Sequence, residues 1–226
     1  MAEIIPIARI ESDFREKFGV PRQAGLVPEL TARIVFEPEF RNPDSLRGID
    51  DFSHLWLIWQ FSHNVREGRS PMARPPRLGG NRALGVWATR APFRPNALGL
   101  SCVALLAVER GGSRGPELVV GGADLVDGTP IFDIKPYVAA DSHPEADFGF
   151  TKMNSDYRLE VLIPDALAAK IPAEKLPALR GVLAEDPRPQ YQHDPERIYG
   201  VAFAGMNVRF TVEAKQLRVV EVAGID

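Results

Sequence analysis

The sequence predicts a mainly β protein, an antiparallel β core followed by a small α/β unit. Three observations predict it. Short runs rich in β-branched and aromatic residues, each bounded by Gly, Pro or Asn-Pro, recur through the first two thirds of the chain. No helical pattern of ~10 to 15 residues separates them, so the alternation that builds a parallel sheet is missing. After about residue 150 the pattern turns to helix and then to longer strands.

In chain order, the candidate strands of the core are Ile4 to Ile10, Ala32 to Phe36, Leu55 to Phe61, Leu84 to Thr89, Ser101 to Val108, Leu118 to Asp124 and Pro130 to Ile134. Asp127-Gly128 signals a turn between the last two. These residues alone leave an antiparallel barrel and a sandwich both open. Beyond them, Pro164 to Lys170 and Glu174 to Ala184 read as helices. Ile198 to Val212 and Gln216 to Val222 read as the two strands of a hairpin, and the polar Asp186 to Asp194 as a loop. The expected domains are 1–150 and 151–226, within the usual size range.

With 226 residues, 45% apolar and 25% charged, the chain can bury a sizeable core, which excludes disorder and fibrous repeats. One cysteine, Cys102, excludes an internal disulfide framework and a Cys-rich zinc site. The N-terminus has no signal-peptide pattern and no run approaches ~18 apolar residues, so a cytoplasmic protein with no membrane partner is expected. The net charge of -3 argues against a generic nucleic-acid coat. That average hides a segregation. Arg66 to Arg94 holds seven arginines, one glutamate and no lysine, a net of +6; Glu117 to Glu160 holds nine carboxylates against three basic residues, a net of -6. Arginine forks match phosphate geometry, whereas lysine would serve solubility equally well.

Familiar catalytic signatures are missing: there is no phosphate loop, no H-E-x-x-H, no nucleophile elbow and no G-x-G-x-x-G after a strand. The four histidines, 54, 63, 143 and 193, are too dispersed for a metal site. What remains is three turn-rich polar segments. Arg74 to Ser101 carries arginines on a Gly- and Pro-shaped loop, with Gly79, Gly80 and Asn96 suited to tight or left-handed turns. Asp124 to Tyr137 brings Asp124, Asp127 and Asp133 toward one end of the sheet. Val20 to Val27 is a short loop with one charge and an amide. Each alone is explained by turn chemistry; together they read as a site for something planar and charged.

The motifs PRQ (Pro21 to Gln23), LRGIDDFSHLWLIWQF (Leu46 to Phe61), RPPRLGGN (Arg74 to Asn81), ATRAPFRPNALGLS (Ala88 to Ser101) and DLVDGTPIFDIKPY (Asp124 to Tyr137), followed by DPRP and Tyr191, resemble the TsaA/TrmO family over nearly the whole chain. The resemblance implies a β-barrel rather than a dinucleotide-binding domain, and a tRNA methyltransferase dependent on S-adenosyl-L-methionine. Its implied substrate is N6-threonylcarbamoyladenosine at position 37, in the anticodon loop, and a homodimer is implied as well. The implied cofactor residues are Pro21, Arg22, Gln23, Ser62, His63, Arg90, Leu100, Asp124, Leu125, Val126 and Asp127. Asp127 and Asp133 are candidates to receive the acceptor's proton, with Lys135 orienting a carboxylate or stabilising developing charge, and no metal is required. Arg74, Arg77, Arg94 and Arg188 are candidates for anticodon-loop phosphates, and Tyr191 for base stacking, with Phe93 a further stacking candidate. The competing expectations are a barrel that binds nucleotide or RNA without catalysis, and an enzyme that hydrolyses the threonylcarbamoyl group.

Overall fold

A computed structural model describes residues 3–62, 70–75, 82–152, 157–188 and 194–225. Six strands close into an antiparallel barrel. In chain order they are β1 (Ala8–Glu11), β2 (Thr31–Phe36), β3 (His54–Gln60), β6 (Leu98–Glu109), β7 (Glu117–Gly121) and β8 (Pro130–Pro136). Around the wall they run β1-β2-β7-β6-β3-β8, and β8 returns to β1 through Ala8 opposite Ile131. Between β3 and β6 come two short strands, β4 (Met72–Ala73) and β5 (Leu84–Gly85), which pair with each other.

Alternation fills the barrel. Along β3, Leu55, Leu57 and Trp59 are buried while His54, Trp56, Ile58 and Gln60 turn outward. The inward set packs with Ile10, Ile34, Val103, Leu118, Val120, Leu125 and Ile131, and in a barrel of this strand number side chains fill the interior. β6 is long because it serves two neighbours, pairing with β3 over Leu98 to Ala104 and with β7 from Ala104 to Glu109. The register shift between Leu105 and Ala107 bends it at the changeover. Outside the wall, Arg33 bridges Glu109 at 2.5 Å and Glu117 at 3.1 Å, and Arg114 reaches Glu117 at 2.9 Å. Glu117 is buried, so these partners offset its desolvation.

The chain divides into two compact units, and the division is discontinuous in sequence. The first comprises 1–13, 22–69 and 92–143, the second 14–21, 70–91 and 144–226. The second unit contains the sheet β10-β11-β12-β9, made of β9 (Glu160–Leu162), β10 (Tyr199–Phe203), β11 (Met206–Glu213) and β12 (Gln216–Gly224), with β9 parallel to β12. Its helices are α1 (Asp165–Ala168) and α2 (Leu176–Ala184), the latter burying Ala178, Leu179, Val182 and Leu183 on one face. Phe14 is pinned edge-on against Phe203, 5.4 Å between ring centres.

Several expected boundaries move. Ile4 to Ile10 forms a strand only from Ala8, and of Leu84 to Thr89 only Leu84–Gly85 is strand, Val86–Ala88 being a 3-10 turn. Ile198 to Val212 is two strands, broken at Ala204-Gly205, both with positive φ (48° and 74°). Asn96 lies in a tight turn closed by Ala97 N–H to Arg94 C=O at 3.2 Å, and the residue with left-handed φ is Ala97, φ 46°. Gly79 and Gly80 lie outside the described residues.

Candidate functional site at one barrel rim

Strand direction alternates around a closed antiparallel barrel. The C-terminal ends of β1, β3 and β7 and the N-terminal ends of β2, β6 and β8 therefore share one rim. The three connections on that rim, β1 to β2, β3 to β6 and β7 to β8, are the ones that carry the three polar segments. Within the barrel unit, Arg22, Gln23, Ser62, Arg94, Asp124, Leu125, Val126 and Asp127 all fall in them.

Two glycines stitch the first and third connections together. Gly25 N–H donates to Gly122 C=O at 2.8 Å, and Gly122 N–H donates to Leu30 C=O at 2.8 Å. Both glycines have positive φ, 78° and 70°. A Cβ on Gly122 would lie 3.2 Å from Gly25 Cα and N, so glycine is required both for the left-handed turn and for the approach. The second connection is closed at its own base, where Phe61 N–H at its start donates to Ala97 C=O at its end, 3.0 Å apart.

The β7 to β8 loop is fixed from below. Ser12 Oγ donates to Leu125 C=O at 2.9 Å, Ser12 N–H donates to Asp127 Oδ1 at 3.0 Å, and Thr129 Oγ1 donates to Val126 C=O at 2.6 Å. Leu125 and Val126 are buried, so only their backbone faces the rim. Asp127 stands exposed. Asp124 is half-buried, and its Oδ1 accepts from Ser101 Oγ at 2.5 Å. Sequence reasoning missed Ser101, since a serine inside LGLSCVALL reads as a small packing residue.

Asp133 is separate from that loop. It pairs with Ile58 across β8 and β3, and Ile58 is on the outer side of β3, so Asp133 is on the outer wall. Lys135, opposite Trp56 on the same side, holds Asp133 Oδ2 at 2.8 Å. Leu100, opposite Ile58 on β6, is exposed on that wall. Nearby, Trp56 Nε1 donates to Asp141 Oδ2 at 2.9 Å, and Asp141 is held below the usual carboxylate range by the Val138 N–H and this indole. The three aspartates therefore divide, two on the rim loop and one on the wall.

Pro21, Arg74, Arg90 and Arg188 belong to the second unit. Pro21 is buried, Arg74 and Arg90 are exposed. Arg188 is 8% exposed and its fork is engaged by Asp186, Nε to Oδ1 at 2.8 Å and a terminal nitrogen to Oδ2 at 2.9 Å. That bidentate contact raises its already high pKa. Tyr157 O–H donates to Asp186 Oδ2 at 3.3 Å, completing a polar cluster that ties Asp186 and Arg188 into this unit. Phe93 and Arg94 are half-buried. His63, Arg77 and Tyr191 lie outside the described residues. Among the described residues no cluster of His, Cys, Asp or Glu could hold a metal ion, and no helix is long and apolar enough to cross a membrane.

Comparison with known proteins gives a consistent result. The family model for the tRNA-methyltransferase O N-terminal domain matches residues 9–142, and that for the TrmO C-terminal domain matches residues 156–225. A tRNA (adenine(37)-N6)-methyltransferase of Escherichia coli K12 is 39% identical over 215 residues, covering 91% of each chain. A putative S-adenosylmethionine-dependent methyltransferase of Pseudomonas aeruginosa is 38% identical and covers 99% of this chain and 98% of its own. The crystal structure of TrmO from P. aeruginosa superimposes with a TM-score of 0.78 at 32% identity, covering 99% of this chain and 97% of that one.

Proposed function

The chain belongs to the TrmO family of tRNA methyltransferases and is an enzyme, and on that premise we propose that it methylates N6 of adenine 37 in tRNA, with S-adenosyl-L-methionine as methyl donor and N6-threonylcarbamoyladenosine as acceptor. The observation that carries this reading is the convergence of three polar connections on one barrel rim, the first and third of them drawn together by the Gly25–Gly122 contact.

The rim fits the donor. The Gly25–Gly122 approach holds the third connection against the first, and on that connection Asp124 offers a carboxylate to a molecule whose positive charge sits on a sulfonium and an ammonium. When bound, that molecule supplies an already activated methyl group. The protein's contribution is then placement, holding the acceptor nitrogen in line at near-attack distance. Arg22, Gln23 and the backbone of Ser62, Leu125 and Val126 line the donor's side of the rim in this reading, with Pro21, Arg90, Leu100 and His63 as further donor-binding residues.

The acceptor N6 is conjugated with the purine and a carbamoyl group, so its proton must leave for the nitrogen to react. Asp127 takes that proton. It shares the rim loop with Asp124, and its Oδ1 is oriented by the Ser12 N–H. Asp133 and Lys135, paired on the outer wall, are second candidates that would act from the wall side. Asp127→Asn keeps an oxygen for Ser12, so the variant is expected to bind S-adenosylmethionine normally while its single-turnover rate falls roughly 10²-fold. A wild-type rate would remove Asp127 from the reaction.

Arg74, Arg94 and Arg77 meet phosphates of the anticodon loop, and Tyr191 and Phe93 stack on its splayed bases. Affinity for tRNA then falls as salt rises. No step uses a metal. The enzyme acts in the cytoplasm, and a homodimer is part of this reading. The decisive experiment incubates the protein with threonylcarbamoylated tRNA and S-adenosylmethionine, then digests to nucleosides for mass spectrometry. Gain of one methyl on the modified nucleoside is expected. Loss of the threonylcarbamoyl group would indicate hydrolysis, and an unchanged nucleoside with intact tRNA binding would indicate a binding protein.

A further inference from the structure

Buried polar groups in an apolar barrel need partners, and the described residues of the barrel include a linear chain of them. Trp59 Nε1 donates to Ser101 Oγ at 2.9 Å, and Ser101 Oγ donates to Asp124 Oδ1 at 2.5 Å. Ser101 is 1% exposed, and Trp59 is buried beside it. The chain is directional. An indole nitrogen can only donate, so it occupies a lone pair of the Ser101 oxygen, and the single hydroxyl proton is left for the carboxylate. It also depends on a gap in the neighbouring strand. Gly99 is opposite Trp59 in the register, and a Cβ there would sit 2.3 Å from the indole ring, so only glycine lets the ring lie across that position. Phe61 packs against the same ring in an edge arrangement, 4.4 Å between ring centres. The indole is thus held by two neighbours, and it sets the hydroxyl.

We propose that Ser101 is a positioning residue for methyl-donor binding: oriented by Trp59 from inside the barrel, it fixes the Asp124 carboxylate at the rim in the geometry that meets the cationic donor. The inference rests on the reading of Asp124 as a donor-binding residue. A hydroxyl donating to a carboxylate is a charge-assisted contact, stronger than a neutral one, and it holds one oxygen of Asp124 against the wall of the barrel. Losing that contact removes one of the constraints on the carboxylate, and the donor would meet a less ordered partner.

The test uses the full chain as Ser101→Ala, Asp124→Asn and the double variant. It measures S-adenosylmethionine affinity by calorimetry, KM for that molecule and kcat on modified tRNA, and the thermal midpoint. Ser101→Ala is expected to weaken donor affinity and raise its KM about tenfold, the scale of one lost hydrogen bond to a charged group, with kcat at saturating donor within about twofold of wild type. Because Ser101 acts through Asp124, the double variant should bind as weakly as Asp124→Asn alone, without a further loss. The unpartnered indole lowers the thermal midpoint equally in Ser101→Ala and the double variant, which separates stability from positioning. If Asp124→Asn weakens binding but Ser101→Ala binds as wild type, or if the two losses add, the positioning inference is overturned. If Asp124→Asn itself binds as wild type, the reading of Asp124 as a donor-binding residue falls, and Ser101's role falls with it.

Discussion

Replacing Gly122 by alanine is expected to reduce S-adenosylmethionine affinity more than tenfold and to lower the thermal midpoint by several degrees. Two costs combine. A side chain in the left-handed region costs ~1 to 2 kcal/mol, and Gly122 has φ 70°. The new methyl would also sit 3.2 Å from the Cα and N of Gly25, and backbone cannot swing aside as a side-chain tip can. The strain is relieved when the two loops give way by a few tenths of an ångström, which stretches the 2.8 Å Gly25 N–H contact between the connections that carry Arg22, Gln23 and Asp124. Gly128 provides the control. Its φ is 73°, yet nothing lies within 4 Å of its added Cβ, so Gly128→Ala should carry the conformational cost alone. Calorimetric titration of both variants decides the matter, since equal losses would mean that the loop contact plays no part in binding.

The second large effect concerns stability. Asp186→Ala should destabilise the second unit by roughly 3 to 5 kcal/mol, because it leaves a buried guanidinium without its carboxylate. Arg188 is 8% exposed and both oxygens of Asp186 contact it. Asp186→Ala combined with Arg188→Met removes both charges and should recover most of the loss, as paired apolar replacements often do. Denaturant unfolding followed by hydrogen exchange in residues 157–188 and 194–225 measures it. A loss below ~1 kcal/mol in the single variant would mean that water reaches the guanidinium freely. The tRNA reading gives Arg188 a phosphate; its geometry gives it an internal carboxylate.

Much of the barrel was legible because a buried wall writes itself into sequence. Leu55 to Trp59 is an apolar run of strand length between His54 and Gln60, and Pro130 to Ile134 is another short run with β-branched and aromatic residues. Closure was not legible from these residues, since a barrel and a sandwich share the same alternation and differ only in which edges meet; the resemblance to a family supplied it. The hairpin inside Ile198 to Val212 was hidden because its turn is Ala204-Gly205, and alanine is an unusual choice for a left-handed position. The rim loops announced themselves through Gly, Pro and Asp. Ser101 did not, because its meaning lies in a register that sets it opposite Leu57 and within reach of Trp59 and Asp124. Asp133 was expected with the other two aspartates because it follows them closely in sequence. Its side depends on its partner Ile58, which only pairing shows. Arg188 looked available because arginine-rich loops usually face water, while its own neighbour two residues earlier binds it.

The barrel's last seam joins Ala8 to Ile131 and Arg9 to Pro130, while the other side of the same strand, β8, binds β3. During synthesis neither β1 nor β3 can satisfy its open edge until β8 has emerged, more than a hundred residues after β1 began. Contacts of such sequence separation make closure slow, and unpaired edges invite pairing with other chains meanwhile. The third rim connection is completed by the same event, so the ligand site proposed there is complete only with the final strand and not gradually before it.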